Sequence, residues 1–532
     1  MHKWDEKMDK EQGNGWRYTP HVIVFFSSAF IMVVEIVAGR LVARHLGSSL
    51  YTWTSIIGVI LAGMSAGNYI GGRLADRWRP ERLLGLLFLV ASVAGLSVLP
   101  MNRMFPACEF FEEMMWPTRT FLTVFGIFLV PAVALGTISP PAAKMAVERG
   151  EAVGRSIGGV YAWGAVGSIA GTFITGFWLI ASLGSRGVVL SVSFALAMMA
   201  VLLGPKRWAA AIWAAILAAL LIVSQFPPYA AWKAEAAIDT LGLREDAEGV
   251  IAMDSNYQFI NVHQSRSDTD SSRQLLTLRL DYLIHGYVDP NDTSHLEYKY
   301  ERLYSHVVRR FFNNMETVSA FFIGGGSYTF PRWVLFQWPG SHVDVAEIDP
   351  LVVDVNYNAL GLPLDTPIRT FSTDARNVVD SLPAEAKYDL IVGDAFNDLS
   401  VPFHLTTLEF NEKVKSHLSP GGLYMVNLID DWRFGRLLGA YFLTLKKTFP
   451  YAYAFCTETG GVKEGRETFV LAASMRSLEV DDWKPGHNSG FPGSVLTEKQ
   501  LIKLAAKSGG RILTDDNAPV ENLLEPVVRQ RN

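Results

Sequence analysis

The chain has 532 residues, of which 49% are hydrophobic and 19% are charged, and its formal net charge at pH 7 is −5. This length accommodates more than one domain, and the composition is too apolar for an ordinary soluble enzyme. No basic stripe is present, so we expect no nucleic-acid partner. The two cysteines, Cys108 and Cys456, provide neither a disulfide framework nor metal-ligand spacing, so we expect no metal.

Seven mostly apolar segments come first along the chain, and each is long enough to cross a bilayer. They are residues 21–43, 51–72, 83–101, 120–143, 157–181, 187–204 and 208–226. The alternative, a set of buried core helices in a soluble protein, fits seven long segments in series poorly. The pattern predicts a multi-pass domain in a cytoplasmic (inner) membrane, with the lipid bilayer as a partner. The first segment is long and follows about 20 mostly polar residues, so we expect no cleaved signal peptide.

Small residues recur in two of these segments, in the stretches GMSAGNYIGG and GGVYAWGAVGSIAGTFITG. Small side chains let helix backbones approach closely in a bilayer. The sequence therefore predicts tight helix contacts around residues 63–72 and 158–176.

The pattern changes after Pro227 and Pro228, where the last apolar segment ends. Period-two alternation in GVIAMDSNYQFINVHQ and RQLLTLRLDYLIHGYV predicts a small antiparallel β unit. From Thr317 onward strand and helix patterns alternate, which predicts an open, mostly parallel sheet with helices on both faces. We place a transmembrane domain at 1–232, a linker with the β unit at 233–310, and the α/β domain at 311–532.

Three consecutive glycines, Gly324, Gly325 and Gly326, end the first strand of the α/β domain, in FFIGGGSYTFPRW. Glycine permits positive φ and close backbone approach, and ligands of such sheets bind at the carboxyl ends of the strands. An ordinary tight turn is the alternative. The turn has neither a Walker lysine nor a GxGxxG pattern, so a nucleoside without phosphates fits better than NAD or ATP.

Acidic residues end the next three strands, and they are Glu347, Asp374 and Asp394. Glu347 follows the glycines by about 20 residues, the spacing at which an acid accepts hydrogen bonds from a ribose diol. Because parallel strands end at one edge of a sheet, we expect the three carboxylates to converge on one crevice. Alternatively, Glu347 or Asp374 caps the helix that follows, and Asp394 merely caps a strand end.

The α/β half, over roughly residues 249–475, resembles the spermidine synthase family, which are polyamine aminopropyltransferases with a methyltransferase-like Rossmann fold. The motifs that carry the resemblance are NYQFINV, LRLD, EIDPLV, TDA, and GDAFND followed by PFHLTTLEF. The helical half, with GMSAGNYIGGRLADR and VYAWGAVGSIAGTFITGF, resembles the N-terminal domain of membrane-integrated spermidine synthase-like proteins. The expected fold is an N-terminal α-helical multi-pass membrane domain and a C-terminal α/β Rossmann-like domain, preceded by the small antiparallel β unit.

The resemblance implies roles for the strand-end residues. The glycines and Glu347 would hold the sugar and thioether end of an adenosyl sulfonium, Asp374 would lie near the adenine N6, and Gln258 would also bind the donor. Asp394 would be catalytic, accepting hydrogen bonds from the attacking amine and helping to remove its proton. The residues implied to bind the substrate are Tyr257, Asp281, His285, Tyr300, Ser327, Arg332, Asn397 and Asp398.

The part of the site that would hold the aminopropyl tail of the donor departs from the family's pattern. Ser327 stands where the family has an aspartate that helps to hold the aminopropyl chain. This weakens the case for decarboxylated S-adenosylmethionine and keeps S-adenosylmethionine, whose tail has a carboxylate, as a donor. Arg332 would supply a cation for that carboxylate, and the alternative is an arginine that faces solvent or pairs with Glu347.

Three further positions, in the part of the site that would hold the acceptor amine, also differ from the family's pattern. His285 replaces a lid glutamine, or is simply a hydrogen-bonded loop residue. Tyr300 replaces a histidine in the family's Tyr-His-Glu element, and Asn397 replaces an acid that the adjacent Asp398 would supply instead. The adenosyl half of the site thus matches the family better than the amine half.

These observations support three hypotheses. In the first, a membrane-bound transferase moves an aminopropyl or aminocarboxypropyl group from the adenosyl sulfonium to a small amine or polyamine and releases methylthioadenosine. In the second, a methyltransferase of the same fold releases S-adenosylhomocysteine. In the third, a transporter is joined to a nucleoside or polyamine sensor with little turnover. The sequence leaves open whether the protein forms a homodimer.

The charges of the loops conflict with the source of the donor. Lys and Arg residues mark alternate loops as cytoplasmic, which with seven spans places the α/β domain outside. Adenosyl sulfoniums are made in the cytosol, so we place that domain on the cytosolic side. The fourth segment, with Pro131, Pro140 and Pro141, is then the candidate for a segment that is re-entrant or does not cross. The alternative is that the α/β domain faces outward.

Overall fold

The computed structural model describes residues 19–106, 108, 110, 114, 116–149, 152–204, 207–224, 249–395, 401–459, 461–463, 465–484 and 490–529. The chain forms two compact units. The first, the helical unit, comprises Met1–Ala247 and Met253–Phe259, and the second, the α/β unit, comprises Glu248–Ala252 and Ile260–Asn532. The predicted domain bounds stay a prediction.

The helical unit contains eight helices in its described part. They are α1 Thr19–Leu46, α2 Leu50–Arg77, α3 Pro80–Met104, α4 Trp116–Gly136, α5 Ser139–Glu148, α6 Val153–Ile174, α7 Ile180–Leu203 and α8 Arg207–Ser224, with a π-helical turn at Thr175–Leu179 between α6 and α7. Gly184, at φ 67° and ψ 165°, interrupts α7 near its start. All seven predicted apolar segments overlap these helices, and the fourth is divided between α4 and α5.

Within the part of the chain that the structure describes, five continuous helical stretches are long and apolar enough to cross a membrane, judged by length and composition. They are Pro20–Leu46, Leu50–Arg77, Pro80–Met104, Pro117–Glu148 and Val153–Leu203. The last has 51 residues and contains the break at Gly184. Two of the predicted segments therefore lie in this one stretch, and α8 is a shorter apolar helix.

Glycines set the closest helix contacts in the helical unit. A Cβ at Gly67 of α2 would overlap the carbonyl oxygen of Val133 in α4. A Cβ at Gly167 of α6 would likewise overlap the carbonyl oxygen of Phe25 in α1. The prediction of tight contacts at the small-residue stretches is confirmed, because in both pairs one backbone lies directly against the other.

The small β unit is a four-stranded sheet with strands in chain order. Its strands are β1 Gly249–Asp254, β2 Phe259–Arg266, β3 Gln274–Leu280 and β4 Leu283–Val288. β2 pairs with β3, and β3 with β4, in antiparallel register. The predicted antiparallel unit is therefore confirmed.

The main sheet of the α/β unit has eight strands in the order β12-β10-β11-β9-β8-β5-β6-β7. They are β5 Ala320–Ile323, β6 Val343–Ala346, β7 Ile368–Phe371, β8 Tyr388–Gly393, β9 Leu418–Asp431, β10 Tyr451–Cys456, β11 Arg466–Ser474 and β12 Ser494–Val495. β5 to β9 pair in parallel, and the last three strands pair antiparallel. The described helices of this unit are α9 Lys299–Phe311, α10 Thr329–Gln337, α11 Pro350–Asn358, α12 Ala375–Ser381, α13 Leu408–His417, α14 Leu437–Thr448, α15 Glu498–Lys507 and α16 Val520–Arg529.

This topology confirms the Rossmann-like expectation and fixes where a ligand binds. All four residues of β5 are buried, with Phe321 and Ile323 in the apolar cluster on one face and Ala320 and Phe322 in the cluster on the other. Strands buried on both faces read as continuous apolar runs. β6 lies on one side of β5 and β8 on the other, so the strand order reverses there, and ligands of open parallel sheets bind at such a reversal.

Candidate functional site

The glycine turn after β5 lies against the end of β8. Gly324 and Gly326 have φ angles of 98° and 50°, which side-chain-bearing residues adopt at an energetic cost. A Cβ at Gly324 would overlap the carbonyl oxygen of Asp394. Glycine is required because the turn passes directly over the backbone that carries Asp394, and the two predicted elements are brought together.

Glu347, at the end of β6, holds the glycine turn. Its Oε2 accepts hydrogen bonds from the backbone N–H of Gly325 at 2.9 Å and of Gly326 at 3.2 Å. Its Oε1 accepts from the N–H of Asp349 at 3.0 Å. Burial raises the pKa of Glu347, and these three backbone hydrogen bonds offset part of that effect. The cap of α11 is Asp349, whose side chain accepts from the N–H of Leu351, so Glu347 is not the helix cap.

The carbonyl side of the turn is held by two further side chains. Asn356 of α11 donates from Nδ2 to the carbonyl oxygen of Gly326 at 2.7 Å. Arg332 of α10 donates from Nη2 to Ser327 and from Nη1 to Leu360, each to a backbone carbonyl oxygen at 3.0 Å. Burial lowers the pKa of Arg332 to about 10, so it stays charged at neutral pH. Arg332 is 8% exposed, so it stabilises the turn and does not face solvent. Its predicted role of binding a carboxylate stays a prediction.

Ser327 is enclosed between the turn and β4. Its hydroxyl shares a 2.7 Å hydrogen bond with that of Thr329, which donates to the carbonyl oxygen of Tyr287 at 2.9 Å. A Cβ at Gly286 would overlap the Ser327 side chain. Position 327 is therefore occupied by a small hydroxyl that ties the turn to β4, and a longer acidic side chain would displace β4.

Asp374 lies at the end of the β7 segment and caps α12. Its Oδ1 accepts from the backbone N–H of Arg376 at 2.8 Å. Its Oδ2 lies 2.9 Å from Nε2 of His404, which belongs to a 3₁₀ turn, Phe403–Leu405. The helix-cap alternative thus describes one oxygen of Asp374, and the other contacts a histidine that the sequence did not single out. The adenine role of Asp374 stays a prediction.

Asp394 directly follows β8 and accepts two side-chain hydrogen bonds. Tyr300 of α9 donates its hydroxyl to Oδ2 at 3.1 Å, and Asn427 of β9 donates from Nδ2 to Oδ1 at 2.9 Å. Burial raises the pKa of Asp394, and these two hydrogen bonds lower it in part. The sequence pointed to Asp394 and Tyr300 but not to Asn427, although Asn427 is a polar residue in the apolar stretch YMVNLI.

A second buried carboxyl group, Glu301, lies on α9 next to Tyr300. Burial, reinforced by the negative charge of Asp394, raises the pKa of Glu301 well above its usual range. The rings of Tyr298 and Tyr300 are 5.1 Å apart and those of Tyr300 and Tyr304 are 5.5 Å apart. Among the described residues, Oε2 of Glu301 and the Tyr304 hydroxyl are buried without a hydrogen-bond partner. Aromatic rings beside carboxyl groups suit a cationic amine.

Asp281 and His285, two predicted substrate residues, belong to the β unit. Asp281, which follows β3, is buried and has φ 49°. A Cβ at Gly326 would lie 3.4 Å from the backbone carbonyl oxygen of His285 in β4. The strand that carries His285 therefore lies close to the glycine turn. The substrate roles of both residues stay predictions.

Four further residues were predicted for the site. Tyr257 and Gln258 are in the turn between β1 and β2, where their backbone N–H groups donate to the Ser255 hydroxyl at 3.0 and 2.9 Å. That turn belongs to the helical unit. Asn397 and Asp398 lie outside the described residues.

Comparison with known proteins identifies relatives that match part of the chain. A probable polyamine aminopropyl transferase from Bifidobacterium longum (strain NCC 2705) is 33% identical over 222 residues, which are 38% of this chain and 48% of that protein. An eEF1A lysine and N-terminal methyltransferase from Danio rerio is 30% identical over 22% of this chain and 18% of its own length. A crystal structure of a probable spermidine synthase from Corynebacterium glutamicum ATCC 13032 matches with a TM-score of 0.44 and 20% identity, over 51% of this chain and 97% of that one. No family model matches the chain.

The resemblance to polyamine aminopropyltransferases that the motifs predicted is confirmed by these relatives. A second relative of that name, from Vibrio vulnificus (strain CMCP6), is 32% identical over 26% of this chain. The chain spans 48% and 46% of the length of the two relatives, about half.

Proposed function

We propose that the protein is a membrane-bound transferase that moves an aminopropyl or aminocarboxypropyl group from an adenosyl sulfonium to an amine. The donor is decarboxylated S-adenosylmethionine or S-adenosylmethionine, and methylthioadenosine is the second product. The observation that carries the proposal is Asp394, a half-buried carboxylate at the end of β8, directly beneath a bare glycine turn. The polyamine aminopropyltransferase relatives support the same reaction class.

The strand-end residues fit an adenosyl group. The crevice offers the backbone of the glycine turn together with Glu347, whose carboxylate faces the turn, and Asp374 from the neighbouring strand. Carboxylates accept hydrogen bonds from the hydroxyls of a ribose and from the exocyclic amine of adenine. We assign Glu347 to the sugar and Asp374 to the base.

In the reaction, Asp394 orients the acceptor amine and takes its proton. The donor supplies a sulfonium, which is a good leaving group, so the protein's contribution is mainly to position the nucleophile and keep it unprotonated. A C–N bond forms as the C–S bond breaks, sulfur keeps the electron pair, and the amine proton passes to Asp394. Tyr300 and Asn427 stabilise the ionised carboxylate that accepts this proton. Tyr300, Tyr304 and the one carboxyl group of α9, Glu301, would hold the rest of a cationic acceptor.

We assign the helical unit to a lipid bilayer. Its long helices expose large apolar side chains that water would solvate poorly, among them Leu61, Phe173 and Trp178, each more than half exposed. Extensive exposed apolar surface of this kind marks a membrane or a protein partner. We place the α/β unit on the cytosolic side, where adenosyl sulfoniums are made.

A methyltransferase is the second candidate, because the eEF1A lysine and N-terminal methyltransferases also match the chain. Both reactions consume an adenosyl sulfonium, but they release different nucleosides. Methyl transfer leaves S-adenosylhomocysteine, whereas aminopropyl or aminocarboxypropyl transfer leaves methylthioadenosine.

Mass spectrometry of the released nucleoside distinguishes the candidates. The purified protein is incubated with each donor, with and without putrescine, beside the Asp394→Asn and Glu347→Ala variants. We expect methylthioadenosine, no turnover by Asp394→Asn with nucleoside binding retained, and weaker nucleoside binding by Glu347→Ala. S-adenosylhomocysteine would establish methyl transfer instead, and unchanged turnover by Asp394→Asn would remove that residue from the mechanism.

A further inference from the structure

The Phe403–Leu405 turn is attached to Asp374 and its neighbour at two points. The His404 ring places Nε2 2.9 Å from Oδ2 of Asp374. The backbone carbonyl oxygen of His404 accepts a hydrogen bond from Nη1 of Arg376 at 2.9 Å. The ring and the backbone of His404 are thus both fixed against the residues that open α12.

An ion pair supports this attachment. The Arg376 guanidinium forms a two-point contact with the carboxylate of Asp515, in which Nη1 lies 2.8 Å from Oδ1 and Nη2 contacts Oδ2. Thr407, two residues after the turn, donates its hydroxyl to the same carboxylate at 2.7 Å. The hydrogen bond from Arg376 contributes most to lowering the pKa of Asp515, to about 2. Arg376, which donates to the backbone carbonyl oxygen of His404, is therefore itself fixed by Asp515.

These contacts define how Asp374 presents its carboxylate. Oδ1 is directed by the backbone N–H of Arg376, and Oδ2 is directed by the N–H of the His404 ring, since a carboxylate oxygen accepts and the ring nitrogen donates. Each carboxylate oxygen has a further lone pair. Each oxygen can therefore accept one more hydrogen bond in a fixed direction, but the carboxylate offers no donor.

We propose that His404 is a positioning residue that locks Asp374 as a hydrogen-bond acceptor and thereby selects a purine with a 6-amino group over one with a 6-oxo group. The inference rests on the proposed function, in which Asp374 meets the base of the donor. A 6-amino group donates to the carboxylate. A 6-oxo group would place an acceptor against an acceptor, and a site built to pair with a donor strongly rejects an analogue that lacks it.

The test measures nucleoside binding without turnover. Isothermal titration calorimetry of the full-length, detergent-solubilised protein would compare 5′-methylthioadenosine with 5′-methylthioinosine, which differ at the 6-position. His404→Phe keeps a ring of similar size but removes the donor, and His404→Gln keeps a donor. Asp374→Asn keeps a helix cap of equal quality but adds a donor.

We expect the wild type to prefer the 6-amino nucleoside by about 100-fold or more. His404→Phe should narrow this preference by about tenfold, as expected for one hydrogen bond to a charged group, and His404→Gln should restore most of it. Asp374→Asn should narrow the preference further while the protein stays folded. A His404→Phe variant that keeps the full preference, or that loses affinity for both nucleosides equally, would overturn the role of His404. If the wild type binds neither nucleoside, the adenosyl site of the proposed function fails, and the inference fails with it.

Discussion

Replacing Tyr300 by phenylalanine removes one of the two side-chain hydrogen bonds that Asp394 accepts. The lost bond joins the Tyr300 hydroxyl to Oδ2 at 3.1 Å, while the bond from Asn427 to Oδ1 remains. Hydrogen bonds to the ionised form lower the pKa of a carboxyl group. The pKa of Asp394, already raised by burial, therefore rises further in the variant.

The size of the change follows from the charge of the acceptor. A hydrogen bond to a charged group contributes about 1.5–3 kcal/mol, and one pKa unit corresponds to about 1.4 kcal/mol. We therefore expect the pKa of Asp394 to rise by about 1–2 units. In the proposed mechanism Asp394 acts as a base in its ionised form, so activity should be lost as the pH falls through this pKa. The acidic limb of the pH profile should move to higher pH by the same amount.

The assay is kcat/KM as a function of pH, measured as methylthioadenosine release with one acceptor amine. Tyr298→Phe is the matched control, because Tyr298 directly precedes α9, two residues before Tyr300, but its hydroxyl donates to the carbonyl oxygen of Ile284 at 2.6 Å. The control should keep the acidic limb of the wild type. A Tyr300→Phe profile that is lower at every pH without any shift of its acidic limb would refute the reasoning, because the hydroxyl would then not act through the charge of Asp394.

Two further predictions concern the backbone and a buried acid. Gly324→Ala should abolish nucleoside binding in a filter or calorimetric assay. Gly340→Ala should retain binding, because Gly340 also has a positive φ of 89° but a Cβ there would have no atom nearer than 3.9 Å. Equal losses of binding in the two variants would show that backbone strain, and not overlap with Asp394, is responsible. Burial raises the pKa of Asp430 to about 7. Between about pH 4 and 7 the folded state therefore binds more protons than the unfolded state, so the free energy of unfolding falls as the pH rises. Thermal unfolding of Asp430→Asn should depend less on pH in that range, and an unchanged pH dependence would contradict this assignment.

The strand-end residues could be predicted because they follow from local patterns. An apolar strand followed by Gly324, and later strands followed by Glu347, Asp374 and Asp394, are visible in single stretches of sequence. The geometry of a parallel sheet then brings their carboxyl ends to one edge. The break of the fourth apolar segment also coincides with a visible signal, since Pro140 and Pro141 lie at the start of α5.

The partners of these residues could not be predicted in the same way. His404 is 30 residues from Asp374, and Asn427 is 33 residues from Asp394. No periodicity links such positions, because the contacts depend on how strands and turns pack in three dimensions. Ser327 shows the same limit, since its small size is explained by the approach of Gly286 from another element. Arg332 was expected to serve a ligand, and its backbone contacts became visible only in the structure.

The glycine turn is held in shape by the protein's own side chains. Glu347, Asn356, Arg332 and Thr329 together fix its N–H groups, its carbonyl groups and its link to β4. The conformational entropy of ordering this backbone is therefore lost when the chain folds, and not when the nucleoside arrives. If the turn binds a nucleoside as we propose, binding would resemble the docking of two rigid surfaces. Affinity differences among variants of the residues that contact the nucleoside should then reside mainly in the rate of its release.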